Sequence, residues 1–101
     1  MAWQDQMSTI VRYIVNDVDS TNYTFSDERI ETSILVAAQL VSNEVDFAQT
    51  YTIDVEGGTI SPDPTVTATK DNDFTNIISL RTGAIILGSE LKTQGFSAVR
   101  V

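Results

Sequence analysis

Apolar residues recur every three or four positions at the start of this chain: Trp3, Met7, Ile10, Val11, Ile14, Val15 and Val18. One stripe at that spacing predicts a helix over residues 2–16. The polar stretch from Asn16 to Asn22 is made of turn formers and ends it. A second stripe, Ile30, Ile34, Ala37/Ala38, Val41 and Val45, follows Ser26, a good N-cap. Asp27 and Glu28 complement the positive end of that helix, while Arg29 stands where a capping box would want Glu. The helix is expected to reach about Asp46. Leu35, Val36 and Leu40 widen its apolar face, so it is predicted to be the central helix, contacted from two sides.

The period then changes from 3.6 to 2. Thr50-Tyr51-Thr52-Ile53-Asp54-Val55 alternates, Glu56-Gly57-Gly58 signals a tight turn, and Thr59-Ile60-Ser61 begins a return strand that Pro62 and Pro64 curtail. A two-stranded hairpin is marginal alone, so it must pack on the helices or on another chain. After a Thr-rich connector, Asp71 or Asn72 can cap a third helix with Phe74, Ile77, Ile78, Ala84, Ile85 and Leu91 on one face. Gly83 and Gly88 weaken it unless they admit a neighbouring backbone, Gly95 is a plausible stop, and Ser97 to Val101 alternates like a short strand. The fold class expected is α+β, mainly α: a single domain over 1–101 with a three-helix core, a projecting β-hairpin at 50–61 and a short C-terminal extended segment at 96–101.

Composition narrows the function more than the fold. The chain has 101 residues, 14 acidic against 6 basic, for a net charge of −8. The six cations, Arg12, Arg29, Lys70, Arg81, Lys92 and Arg100, are scattered, so no basic patch is available to displace counterions from phosphates. Sequence-specific nucleic-acid binding is not expected, and the same charge disfavours anionic membranes. No cysteine and no histidine is present, which excludes disulfides, thiolate chemistry and the usual zinc sites. No basic region followed by an apolar run stands at Met1-Ala2-Trp3-Gln4-Asp5, so no secretion signal is expected, and the protein is expected to be made in the cytosol and to stay soluble.

Little of the chemistry-bearing inventory forms a constellation. From Asp17 to Glu28, oxygen donors at Asp17, Asp19 and Thr21 with Glu28 at the twelfth position outline a calcium loop, but Asn22 replaces the glycine of the sharp turn and Thr24 the apolar eighth residue. The simpler reading is a solvated turn before the Ser26 cap. Asp71-Asn72-Asp73 has Thr82 at the twelfth position and suits a cap instead. Glu44/Asp46 and Asp54/Glu56 are carboxylate pairs whose simplest environment is solvent, and without histidine no ordinary Ser-His arrangement exists. No enzyme activity and no cofactor are expected. Phe74 and Tyr13 are read as core. Trp3 and Tyr51 suit either core or interface, since aromatic residues anchor binding surfaces.

The stretches Tyr23-Thr24-Phe25-Ser26-Asp27-Glu28-Arg29-Ile30 with Ile34 to Val41, Thr50 to Asp54, Ile60 to Thr65 and Asp71 to Asn76 together resemble the neck proteins of contractile-tailed phages, particularly those of cyanobacteria. The helical part is similar to the adaptor, or head-to-tail connector, family. The resemblance covers residues 3 to 96 and rests on caps and turns. Members of the family continue past this point, whereas this sequence stops on Val99-Arg100-Val101, so a shorter form or an exchangeable terminal arm is expected. The resemblance implies a virion protein: a ring subunit matching the portal's twelvefold symmetry, touching copies of itself, the portal, and the tail terminator or other neck proteins. The interface candidates are Trp3, Tyr51, Ile53, Val55, Ile60, Gly83, Gly88, Phe96, Val99 and Val101. Two alternatives remain open, namely a different neck, tail-completion or terminator protein, and a calcium-responsive module at Asp17–Glu28.

Overall fold

The computed structural model describes the backbone of residues 3–99 and the side chains of residues 3–88. Three helices, α1 (Trp3–Ile14), α2 (Asp27–Ser42) and α3 (Asn72–Val99), pack on one another. Between α2 and α3 lie the strands β1 (Thr52–Asp54) and β2 (Thr59–Ser61) and a single 3-10 turn at Thr67–Thr69. The protein is therefore mainly α with a small antiparallel hairpin, as the change of period implies.

Trp3, Met7 and Val11 bury the inner face of α1 at a spacing of four. The helix ends in a Schellman arrangement: Asn16 is left-handed (φ 57°), its N–H reaches the Tyr13 carbonyl, and the Asp17 N–H donates to the Arg12 carbonyl at 2.8 Å. Tyr13, read from the sequence as core, is 73% exposed. It follows Val11 by two residues, about 200° around the helix, which turns it away from the body.

Helix α2 starts as its cap requires, with Ser26 extended and its Oγ accepting the Arg29 N–H at 3.1 Å. It stops at Ser42 rather than Asp46, with Asn43 at the C-cap. Glu44 and Asp46 would have placed negative charge at the negative end of the dipole. Ile30, Ile34, Leu35, Ala37, Ala38 and Val41 are buried, and α2 meets α1, α3 and β1. Val36 and Leu40 remain open to solvent.

In the hairpin, Thr52 faces Ser61, Ile53 faces Ile60 and Asp54 faces Thr59. Asp54 shapes the turn by accepting the Gly57 N–H on Oδ1 at 2.9 Å, and Gly58 takes the positive φ of 73° that closes it. Ile60 enters the core, with Ile53 and Val55 packed against it, so the apolar face of the hairpin is docked on the helices. The connector that follows is braced rather than loose. Asp63 accepts the Thr65 N–H and hydroxyl on Oδ1 and the Trp3 N–H on Oδ2 at 3.0 Å, tying it to the start of α1. Asp71 caps α3 by accepting the Phe74 N–H at 3.1 Å.

Helix α3 differs most from the sequence reading. Its buried face is Phe74, Thr75, Ile78, Ser79, Thr82, Gly83 and Ile86, whereas Ile77 and Ala84, expected inside, are outside. The small polar residues let α1 and α2 approach closely; Thr82 returns its hydroxyl to the Ile78 carbonyl. The helix also runs through Gly95 to Val99. Residues 96–99 are thus helical instead of extended: one glycine costs about 1 kcal/mol, too little to stop a long helix, and a lone alternating pentapeptide has no strand to pair with.

Candidate functional site

Two features stand out from residues upward: the loop joining α1 to α2, and the surface left open by α3. In the first, Arg12 sits near the end of α1 with 5% of its surface exposed. Its Nη1 donates to Asp17 Oδ2 at 2.8 Å and to the Phe25 carbonyl at 3.0 Å, and its Nη2 to Asp27 Oδ1 at 2.8 Å. The Tyr23 ring covers the guanidinium, 3.6 Å from the ring centre. Asp17 completes the arrangement by accepting the Thr24 and Phe25 N–H groups at 2.9 and 3.0 Å. Burial pushes the Asp17 carboxyl up, but those two N–H groups and the Arg12 charge outweigh it and hold the carboxyl below its ordinary value.

This geometry accounts for the residues of the calcium outline. Both Asp17 oxygens are engaged by donors from the chain itself. Asp19 accepts the Thr21 N–H and hydroxyl at 3.1 and 2.7 Å, which lowers its carboxyl, and Glu28 lies in the first turn of α2. Among the described residues no group of three or more His, Cys, Asp or Glu is placed to hold a metal ion. One member of each of the other carboxylate pairs serves structure too: Asp54 closes the hairpin turn and Glu44 meets Arg81 at 3.2 Å. A shallow cleft of about 230 Å³ between α1 and α2 is lined by Asp5, Asp27 and Glu31 together with Gln4, Ser8, Thr9, Arg12 and Tyr23. Burial, then the charges of Asp27, Asp5 and Glu28, raise the Glu31 carboxyl there.

The structure separates the interface candidates. Trp3 (4% exposed) and Ile60 (5%) are taken up by the chain's own core. Ile53 and Val55 are half-buried against it. Tyr51 stacks on Phe74 at 3.9 Å between ring centres, with Phe47 edge-on to both rings, and donates its hydroxyl to Asp71 at 2.8 Å. Burial and that carboxylate push the Tyr51 phenol well above its ordinary range. Gly83 faces α1, where a Cβ would come within 2.5 Å of Ile14, while Gly88 has open space around it. The side chains of Phe96 and Val99, and all of Val101, lie outside the described residues.

What the sequence reading passed over is the outer face of α3. Ile77, Leu80 and Leu87 are 38%, 61% and 41% exposed, on the side away from the core. The signal was present in the sequence of α3, where apolar residues fall on more than one face: Phe74 and Ile78 on one side, Leu80, Ala84 and Leu87 on another. Among the described residues no helix is long and apolar enough to cross a membrane. Comparison with protein-family models, curated proteins and solved structures returns no match.

Proposed function

We propose that this chain is a non-enzymatic structural protein of a tailed-phage virion, a subunit of the head-to-tail connector ring that joins the portal to the tail around the DNA channel. The observation that carries the reading is the outward apolar face of α3, formed by Ile77, Leu80 and Leu87. Contiguous exposed apolar surface marks an association site, and a helix with an apolar stripe on its outer as well as its inner side has a second face to offer a neighbour. The resemblance of Tyr23–Val41, Thr50–Asp54 and Asp71–Asn76 to neck proteins supplies the kind of assembly. Charge agrees with it: a conduit should not hold DNA, and −8 per copy, repeated around a lumen, repels phosphates. Lateral contacts in such a ring are heterologous, each copy offering one surface to a different surface of the next.

Cross-linking mass spectrometry on purified particles tests the assignment. A carboxylate-directed reagent suits a chain with 14 Asp and Glu. Links to the portal and to an adjacent neck or tail protein are the expected result. Links to tail proteins alone would make it a tail-completion protein, and recovery from infected-cell lysate but never from particles refutes a virion role.

A further inference from the structure

The outer face of α3 has a finer pattern than exposure alone. Ile77, Leu80, Ala84 and Leu87 are exposed and separated by three, four and three residues, and the sequence continues the spacing with Leu91. Strict alternation of three and four keeps residues on one narrow stripe, the seam along which two helices pack knobs into holes. At about 100° per residue, the stripe points away from the one formed by Phe74, Ile78, Thr82 and Ile86, which the body grips. The body is also too short to flank α3 throughout. At about 1.5 Å per residue α3 measures about 42 Å, against about 24 Å for α2 and about 18 Å for α1.

We propose that this seam is occupied by α3 of a second copy of the chain, giving a closed, two-fold pair. Charge selects the occupant. The chain as a whole carries −8, which opposes self-association over most of its surface. Within α3, however, two acids (Asp73 and Glu90) balance two bases (Arg81 and Lys92), so the other twelve acids and four bases supply the entire excess. Identical helices meet along α3 without the repulsion they would meet at α2, whose first turns carry Asp27, Glu28 and Glu31 against the single base Arg29. A two-fold contact presents the same patch from both sides, and a neutral apolar seam is complementary to itself. Pairing stands apart from the connector reading, because a closed pair is not a ring. It is the form of the chain outside a particle, and ring building would exchange this contact for head-to-tail ones.

Sedimentation equilibrium of the isolated protein decides it. At about 100 μM the expected mass is twice the 11.1 kDa of one chain. Leu80→Lys and Leu87→Lys each weaken the pair by about a hundredfold with helical circular dichroism unchanged. Leu80 is 61% exposed, so its replacement leaves the monomer's core intact. Val36→Lys, on the separate open stretch of α2, leaves the pair as it was. A monomer at every concentration overturns the pairing while leaving the connector reading standing. A mass that climbs past two copies, or a dimer that Val36→Lys dissociates and Leu80→Lys does not, overturns it as well.

Discussion

A methyl group on Gly83 would stand 2.5 Å from Cγ2 of Ile14, so α1 and α3 touch through the one residue type that admits the contact. Ile14 is β-branched and stiff about χ1, so it cannot swing aside cheaply. Gly83→Ala is expected to destabilise the fold by about 1–3 kcal/mol from overpacking, against about 1 kcal/mol gained in helix propensity. Urea unfolding measures the balance. In an Ile14→Ala background the same change should become neutral or stabilising; an equal penalty in both backgrounds would show that the contact is not its cause.

Arg12 holds Asp17 in a buried pair, and removing the cation leaves a buried carboxylate without its partner. Arg12→Met is expected to cost about 3 kcal/mol by denaturant unfolding. Asp27→Asn should cost far less, because that carboxylate is 77% exposed.

Acid acts through the same pair. The Asp17 carboxyl titrates below its ordinary value of 3.8 in the folded chain. The stability it contributes is therefore complete above that value and is lost as the pH falls through the lower, folded one. Asp17→Asn should lower stability at neutral pH and flatten the decline in acid, which urea midpoints at a series of pH values would reveal.

Alkali acts through Tyr51. Its phenol titrates above the ordinary 10.0, so its contribution is whole below that pH and drains away above it. Ultraviolet titration should find the last tyrosine ionising together with the loss of circular dichroism. In Tyr51→Phe that coincidence disappears, at a cost of about 1 kcal/mol in neutral solution for the lost bond to Asp71.

Calcium titration calorimetry gives a direct check on the Asp17–Glu28 loop. With both Asp17 oxygens already accepting hydrogen bonds, no heat and no gain of helicity are expected at millimolar calcium. A saturable signal abolished by Asp17→Asn would show that the loop rearranges around the ion.

The elements that were readable before the structure are those whose pattern is set locally. Met7, Val11, Ile30, Ile34 and Val41 repeat at helical spacing because each helix has one apolar side, and Ser26 and Gly57-Gly58 act within a few residues of themselves. Helix α3 hid its orientation because it has apolar residues on two of its sides, and periodicity cannot choose between two such faces. Thr75, Ser79 and Gly83 won the inner side by being small, a property that only the neighbouring helices reveal. Arg12 was one scattered cation among six until the chain reversal at Asn16 brought Asp17, Phe25 and Asp27 around it.

The cysteine-free link between α1 and α2 has a further consequence. One guanidinium fastens residues 17, 25 and 27 to a helix end, a task that secreted miniproteins assign to a covalent bridge. Such a fastening is indifferent to reductants and forms without an oxidising compartment, and its buried limb, Arg12 to Asp17, is screened only weakly by salt because water is kept from it. Protons can undo it and thiols cannot.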